Sequence, residues 1–237
     1  MIEEKEVLIR IRRQKSPVEN GYLDEFHLKA NENSRILDLL EKIREQVDSS
    51  LSFRANCGQG SCGSDGMQIN GQNRLACQTL LKDIGYPDTV VVRPLPGFKV
   101  LKDLVVDMSE MRSENQKVAP FQGCNCKNDK EHKQTPAQQE KIAAAASCIR
   151  CGCCQSACPA TWEFDKFSGP APLTLAHRYL FDSRDRLKTE RIKQLKNMDL
   201  WKCFTIYNCI EVCPREINVT GLISEIKKAE IEGKAET

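Results

Sequence analysis

Apolar and charged residues alternate near the start of the chain, with the period of two that a half-buried strand requires. Val7, Ile9 and Ile11 carry this pattern, which predicts a strand over residues 5–13, and residues 25–30 predict a second strand. After Ser34, the predicted N-cap of a helix, the apolar spacing becomes helical, with apolar residues at Ile36, Leu39, Leu40 and Ile43. The chain therefore begins with a small sheet and one helix.

The next predicted elements are a hairpin and one further strand. Residues 67–78 predict the hairpin because Asn70-Gly71 can adopt the positive φ angles of a two-residue turn. Residues 89–95 predict the strand, and the strand signals stop after Asp107. We therefore predict a first domain over residues 1–107 that contains several strands and one helix.

The remaining residues, 108–237, predict a mainly helical second domain. Thr135 is a predicted N-cap, and Pro136 takes the first position of a helix that continues to Ser147. Two further helices are predicted over residues 173–181 and 220–229. The fold class predicted for the whole chain is α+β.

Composition and charge narrow the classes of function. The net charge is only +2, from 35 basic and 33 acidic residues, so a nucleic-acid partner is excluded by charge. No apolar run approaches the roughly 18 residues of a membrane-spanning helix, so any membrane contact is expected through a partner. Thirteen cysteines without a signal sequence indicate metal binding in a reducing compartment, and we expect a cytoplasmic, prokaryotic protein.

The strongest motif is a run of four closely spaced cysteines. Cys148, Cys151, Cys154 and Cys158 are followed by Pro159, which reproduces the C-x2-C-x2-C-x3-C-P run of bacterial ferredoxins. The run recurs near the C-terminus with isoleucine in the place of its second cysteine, as Cys203, Ile206, Cys209, Cys213 and Pro214. Tetrahedral zinc is the main alternative for C-x2-C pairs. A zinc site does not explain the third and fourth cysteines of the run, which are spaced C-x3-C and followed by proline. The chain is therefore expected to transfer electrons through iron–sulfur clusters.

The two runs together predict two different clusters. In two-cluster ferredoxins the fourth cysteine of each run binds the other cluster. One site then has four thiolates and suits a 4Fe-4S cluster, with the ligands Cys148, Cys151, Cys154 and Cys213. The other has three thiolates, Cys158, Cys203 and Cys209, and suits a 3Fe-4S cluster because the side chain of Ile206 cannot bind iron.

A third group of cysteines lies in the first domain. Cys57, Cys62 and Cys77 follow the plant-type spacing for a 2Fe-2S cluster, with Asp65 in the place of the third cysteine. Either Asp65 supplies an oxygen ligand or the site is structurally perturbed. We predict an altered potential, because oxygen is a harder ligand than sulfur. The intervening glycines are expected to let backbone amides approach the cluster.

Three cysteines fall outside these sets. Cys153 is predicted to be a small buried side chain, and Cys124 and Cys126 are predicted to be ordinary loop thiols.

The arrangement of the three cluster motifs resembles the iron–sulfur subunit of succinate dehydrogenase and fumarate reductase. Besides the cysteines, the stretches that resemble this family are Ser52–Arg54, Cys62–Gly66, Leu75–Cys77, Arg93–Pro96, Asp103–Met108 and Asp182–Asp185. The resemblance implies a plant-type ferredoxin (β-grasp) domain followed by an all-α domain that is bacterial-ferredoxin-like. Asp65 is similar to a variant found among bacterial succinate dehydrogenases.

The resemblance also implies partners. It implies that electrons pass from an FAD-containing flavoprotein subunit through the 2Fe-2S, 4Fe-4S and 3Fe-4S clusters to a quinone beside membrane anchor subunits. The quinone site would include Pro159, Trp162, Ile206 and Arg215. Glu163 and Phe204 depart from residues of several relatives at this site. The subunit would lie peripherally, on the cytoplasmic face of the prokaryotic inner membrane.

Three alternatives remain open at the level of sequence. A fumarate reductase would run the same path in reverse, and a free ferredoxin-like carrier would dock with several enzymes. A subunit of another flavin dehydrogenase with two 4Fe-4S clusters would need a cysteine at Ile206.

Overall fold

The computed structural model describes residues 4–118 and 132–233, which form two compact units. The first consists of the described residues up to Met108 together with Ile149–Ala157. The second consists of the described residues of Ser109–Cys148 and Cys158–Thr237. The segment Ile149–Ala157, which the sequence assigned to the second domain, thus belongs with the first unit. Cys124 and Cys126 lie outside the described residues.

The first unit is built on a five-stranded sheet with the order β2-β1-β5-β3-β4. Its strands are β1 (Lys5–Arg13), β2 (Tyr22–Ala30), β3 (Gly66–Ile69), β4 (Gln72–Leu75) and β5 (Thr89–Arg93). β1 and β5 are parallel, with Ile9 paired to Val90, and the other neighbours are antiparallel. The alternation predicted for β1 is confirmed, because Val7, Ile9 and Ile11 are all buried.

The predicted helix and turn of the first unit are present, with two corrections. Helix α1 (Ile36–Gln46) begins after Arg35, and Ser34 does not cap it; the Ser34 hydroxyl instead accepts a hydrogen bond of 3.1 Å from the amide of Asn31. Asn70 and Gly71 have φ angles of 47° and 83°, as the turn requires. The second strand of this hairpin is shorter than predicted, because a 3-10 turn at Ala76–Gln78 replaces its end.

A second, two-stranded sheet was not predicted. It consists of β6 (Val100–Lys102) and β7 (Val105–Val106), and Asp103 in the turn between them is buried. Oδ1 of Asp103 accepts the amide of Gln14 at 3.1 Å, and Oδ2 accepts the amide of Ser52 at 2.9 Å. This carboxylate therefore links three separate segments of the first unit.

Besides short 3-10 helices at Leu81–Ile84, Lys196–Met198 and Leu200–Lys202, the remaining elements of the described residues are α-helices. They are α2 (Ser109–Lys117), α3 (Pro136–Ala146), α4 (Cys153–Ala157, in the first unit), α5 (Ala160–Glu163), α6 (Pro170–Leu180), α7 (Lys188–Leu195), α8 (Asn208–Glu211) and α9 (Val219–Glu232). The cap predicted for α3 is confirmed, since the Thr135 hydroxyl accepts the amide of Gln138 at 3.2 Å. No helix within residues 4–118 and 132–233 is both long enough and apolar enough to cross a membrane.

The core of the second unit packs α6 against α9, with Leu173, Leu180, Ile223 and Ile226 buried. Five cysteines pack against this core while remaining partly buried, namely Cys148, Cys158, Cys203, Cys209 and Cys213. The thiol groups are therefore held against an apolar scaffold.

A buried carboxylate ties the end of α6 to the segment that follows it. Asp182 has no exposed side-chain surface, and its oxygens accept hydrogen bonds from Arg178 at 2.9 Å and from Arg184 at 2.8 Å and 2.9 Å. Burial opposes ionisation, but the bonds from Arg184 and Arg178 dominate and lower the pKa of Asp182 to about 2. The carboxylate is therefore fully charged at neutral pH.

Candidate metal centres

The loop between α1 and β3 brings backbone amides to cysteine sulfurs. The amides of Ser61 and Cys62 donate to Sγ of Cys57 at 3.4 Å and 3.3 Å. The amide of Gly60 donates to Sγ of Cys77 at 3.3 Å. Such donors stabilise thiolates and tune the potential of a bound cluster. The amide donation expected from the glycine-rich spacing is therefore present at Gly60.

Asp65 lies against Cys77 in the same site. Its side chain is buried, and Oδ2 accepts the amide of Cys77 at 2.6 Å. Oδ1 is also buried and has no hydrogen-bond partner among the described residues. Burial raises the pKa of the Cys77 thiol to about 11, and the interaction of this thiol with the Asp65 side chain adds to the effect. A buried oxygen without a protein partner fits the place of a metal ligand.

Neighbouring polar groups make the Cys62 thiol more acidic than an ordinary cysteine. Hydrogen bonds with the backbone of Cys57 and the hydroxyl of Ser64 lower the pKa of Cys62 to about 7. The sulfur of Cys62 lies 3.1 Å from the Ser64 oxygen. The loop thus favours a thiolate at Cys62, the form that binds iron.

Two glycines allow this loop to approach the segment Ile149–Ala157 within the first unit. Gly63 has φ +66°, and a Cβ there would lie 2.9 Å from both the carbonyl oxygen of Ile149 and Cβ of Cys151. A Cβ at Gly66 would lie 3.0 Å from the carbonyl oxygen of Cys151. Cys153 is completely buried, as predicted, and its carbonyl accepts the side-chain amide of Asn73 at 3.1 Å.

The four cysteines predicted for the 4Fe-4S cluster are divided between the units. Cys151 and Cys154 belong to the first unit, and Cys148 and Cys213 belong to the second. Hydrogen bonding with Cys153 lowers the pKa of Cys151 against the effect of burial. In the second unit, Sγ of Cys213 accepts the amide of Ile217 at 3.4 Å.

The three cysteines predicted for the 3Fe-4S cluster line one cavity. Cys158, Cys203 and Cys209 are among the residues that line a cavity in the second unit, whose empty space of about 370 Å³ includes open solvent, and Ile206 also lines it. Burial raises the pKa of both Cys158 and Cys209, and the neighbouring Cys203 thiol adds to this effect. Thiols in this environment ionise readily only when a metal compensates the charge.

The predicted quinone residues occupy different positions around this cavity. Pro159 and Ile206 line it, whereas Trp162 and Arg215 are exposed and are not among the lining residues. The large apolar side chains exposed in the described part of this unit are Trp162, Trp201, Phe204, Ile206, Tyr207 and Ile231. Of these, Phe204, Ile206 and Tyr207 line the cavity.

Lys227 is a residue that sequence reasoning missed. Its ammonium group donates to the carbonyl oxygen of Cys203 at 2.9 Å and lies 5.2 Å from the ring centroid of Trp201. Lys227 follows Thr220 and Ile223 on α9 at helical spacing, and both of these residues line the cavity. The sequence offered one signal for Lys227: its helical spacing from Thr220 and Ile223, on the helix that follows the last cysteine run.

No group of three or more His, Cys, Asp or Glu side chains is arranged to hold a single metal ion in the part of the chain described, residues 4–118 and 132–233.

Comparison with known proteins identifies both halves of the chain. The 2Fe-2S iron-sulfur cluster binding domain matches residues 8–113, and the 4Fe-4S dicluster domain matches residues 144–217. The succinate dehydrogenase iron-sulfur subunit of Coxiella burnetii (strain RSA 493 / Nine Mile phase I) is 41% identical over 215 residues, covering 87% of this chain and 88% of that protein. This chain belongs to the succinate dehydrogenase iron–sulfur subunit family.

Solved structures share the fold of this family member. A chain of the Mycobacterium smegmatis Sdh1 complex in the apo form is 24% identical, with a TM-score of 0.89 over 97% of both chains. A hypothetical protein from Helicobacter pylori is 17% identical, with a TM-score of 0.57 over 94% of this chain and 39% of that one. At these identities the two structures support the fold alone.

Membership in this family confirms the family resemblance, the fold class and the role as an enzyme subunit that the sequence predicted. The fold class is α+β, with a sheet-containing 2Fe-2S domain followed by a helical ferredoxin-like 4Fe-4S domain. The chain is a subunit of an oxidoreductase.

Proposed function

We propose that this chain carries electrons, one at a time, from an FAD-containing flavoprotein subunit that oxidises succinate to a quinone at membrane anchor subunits. The observation that carries the proposal is the cavity lined by Cys158, Cys203 and Cys209, with Ile206 in the place of a fourth ligand. The clusters would supply one-electron redox chemistry, so that a two-electron flavin can be coupled to a two-electron quinone. The protein's own part is to bind the clusters, tune their potentials and exclude water.

The first site would hold the 2Fe-2S cluster. Its ligands would be Cys57, Cys62, Cys77 and one oxygen of Asp65. The buried and unpartnered Oδ1 of Asp65 supports the oxygen ligand, and the amides directed at Cys57 and Cys77 support bound thiolates. The hydrogen bond from Gly60 to Cys77 is buried, so it would be stronger than the same bond in water.

The other two sites would hold the 4Fe-4S and 3Fe-4S clusters. The 4Fe-4S assignment to Cys148, Cys151, Cys154 and Cys213 rests on the spacing of the two runs. The 3Fe-4S assignment to Cys158, Cys203 and Cys209 rests on spacing and on their shared cavity. An aliphatic side chain at Ile206 offers no electron pair to a fourth iron.

A quinone site beside the three-cysteine cavity is proposed at Pro159, Trp162, Ile206 and Arg215. The exposed aromatic side chains near this site suit contact with anchor subunits, since tryptophan and tyrosine combine apolar area with a polar group. Lys227 adds a cation close to Cys203. The subunit would therefore lie peripherally at the cytoplasmic face of the inner membrane.

Low-temperature electron paramagnetic resonance, with iron and acid-labile sulfide counted on the same anaerobic sample, tests this proposal. We expect a 3Fe-4S signal in the oxidised protein and 2Fe-2S and 4Fe-4S signals after dithionite reduction. Two 4Fe-4S centres without a 3Fe-4S signal would instead support another flavin dehydrogenase. Co-purification of a flavoprotein and a membrane protein is expected, whereas a monomer active with many partners would indicate a free carrier.

A further inference from the structure

One cysteine of the three-cysteine cavity has a side-chain hydroxyl beside its sulfur. Oγ1 of Thr220 lies 3.6 Å from Sγ of Cys209, and Thr220 lines the same cavity as the three cysteines. Thr220 is only 5% exposed, so water competes little for this contact. The hydroxyl also lowers the pKa of Cys209, although burial has the larger and opposite effect.

The fold positions this hydroxyl from the start of α9. Asn218 caps the helix, and its side-chain oxygen accepts the amide of Gly221 at 2.9 Å. This cap fixes the first turn, in which Thr220 is the second residue. Ile223, one turn later, lines the cavity with Thr220, so the same helix face meets the cysteines.

From this geometry we propose that Thr220 sets the reduction potential of the cluster held by Cys158, Cys203 and Cys209. A ligating thiolate has no proton to give, so in the loaded protein the Thr220 hydroxyl is the donor. Reduction of the cluster adds one electron, which a reductant in solution supplies, and moves no proton. The added negative charge strengthens a hydrogen bond to the ligand sulfur, so the bond favours the reduced state. Thr220 thus acts as a positioning residue that raises the potential.

This inference rests on the proposed 3Fe-4S site, and the test separates the two. The complex with its clusters loaded is titrated with redox mediators, and the 3Fe-4S midpoint is measured by electron paramagnetic resonance in wild type, Thr220→Val and Thr220→Ser. At the wild-type midpoint, we expect the ratio of reduced to oxidised cluster in Thr220→Val to fall about three- to tenfold, a tenfold fall being about 59 mV for one electron. Thr220→Ser keeps the hydroxyl and is expected to retain the wild-type midpoint.

Two controls distinguish tuning from a general structural effect. The 2Fe-2S midpoint in the same samples is expected to stay unchanged, because its ligands lie in the first unit. Thr174→Val also removes a buried hydroxyl from the second unit, but this hydroxyl donates to the carbonyl oxygen of Pro170 at 2.9 Å and not to a sulfur. Its 3Fe-4S midpoint is expected to match wild type.

Each remaining outcome decides one of the two proposals. Absence of the 3Fe-4S signal from wild type would reject the proposed function before any variant is compared. An intact signal with an unchanged midpoint in Thr220→Val would reject only the role of Thr220, as would an equal fall in Thr220→Ser. If Thr220→Val and Thr220→Ala both lose the cluster while Thr220→Ser keeps it, the hydroxyl holds the cluster and does not tune it, which also overturns the inference.

Discussion

The amide of Cys77 donates a 2.6 Å hydrogen bond to Oδ2 of Asp65, while Oδ1 of the same carboxylate is buried without a hydrogen-bond partner among the described residues. One oxygen therefore orients the carboxylate, and the other is available for iron. Sulfur is expected at this position from the plant-type spacing, so the carboxylate changes the chemistry of the site.

Replacement of Asp65 tests its role as a ligand. We expect Asp65→Ala to lower the 2Fe-2S content and Asp65→Cys to retain the cluster with an altered spectrum and potential. Iron and sulfide analysis, with the reduced electron paramagnetic resonance spectrum, measures both effects. A full and unchanged 2Fe-2S signal in Asp65→Ala would show that Asp65 is not a ligand.

Ile206→Cys is predicted to convert the three-thiolate site into a four-thiolate site. Ile206 lines the cavity with Cys158, Cys203 and Cys209, so a thiol at this position has access to the open corner of a cluster. The oxidised 3Fe-4S signal is expected to disappear, and the iron content is expected to rise by about one atom per chain. Ile206→Val, which offers no ligand, serves as the control and should keep the 3Fe-4S signal.

The glycines of the first cysteine loop give a matched pair of substitutions. Gly58 and Gly63 have φ angles of +67° and +66°, but a Cβ at Gly58 meets nothing within 4 Å, whereas one at Gly63 meets backbone at 2.9 Å. Gly58→Ala should cost only the left-handed backbone penalty, about 1–2 kcal/mol. Gly63→Ala should cost about 1–3 kcal/mol more because of overpacking.

Thermal unfolding and iron analysis of these two variants measure the difference. We expect Gly63→Ala to have the lower unfolding temperature and the lower 2Fe-2S content. Equal losses of unfolding temperature and of 2Fe-2S content in both variants would mean that the close approach of Gly63 to Ile149 and Cys151 adds nothing to the cost of the substitution.

Asp182→Asn is expected to destabilise the second unit at neutral pH. Because the pKa of Asp182 is lowered from 3.8 to about 2 in the folded protein, ionisation contributes about 2 kcal/mol. A lowered folded pKa gives stability that is complete above the unfolded value and is lost as the pH falls. The difference between wild type and variant should therefore be constant from pH 7 to about 5 and shrink between about pH 4 and 2.

Urea unfolding followed by circular dichroism at each pH measures this difference. Asp165→Asn changes an exposed carboxylate in the same unit and is expected to shift the free energy of unfolding by less than about 0.5 kcal/mol. A difference for Asp182→Asn that stays the same down to pH 2 would contradict an electrostatic origin.

Trp162 tests the proposed surface for quinone and anchor subunits. Its side chain is 55% exposed and lies outside the lining of the three-cysteine cavity. If Trp162 contacts the anchor, Trp162→Ala should lower quinone reduction by the complex several-fold, while Trp162→Phe, which keeps apolar area, should lower it less. Unchanged quinone reduction in both variants would remove Trp162 from the interface, and reduction of a soluble dye should be unaffected in either case.

The sequence pattern predicted much of the fold, because strand alternation, tight turns and helix caps depend on residues that are neighbours in the chain. The alternation at Val7, Ile9 and Ile11, the turn at Asn70-Gly71 and the Thr135 cap each act within a few residues, and each is present in the structure. Ser34 was misassigned because its hydroxyl binds the amide of Asn31 instead of a helix amide. Local pattern also missed the pairing of β6 with β7. Asp103, in the turn between them, is held by Gln14 and Ser52, which lie far away in sequence.

By itself, the sequence limited the chemistry open to this protein: the spacing of its cysteines, the aspartate at position 65 and the isoleucine at position 206 define the candidate ligands of each proposed cluster. The identity and spacing of these residues are local properties, because they do not depend on how distant segments of the chain pack. Only the tertiary structure decided which groups surround those ligands, such as Thr220 beside Cys209, Lys227 at the carbonyl of Cys203 and the unpartnered oxygen of Asp65. These contacts depend on how a helix or loop packs against a distant segment, and packing is settled by the whole core of each unit.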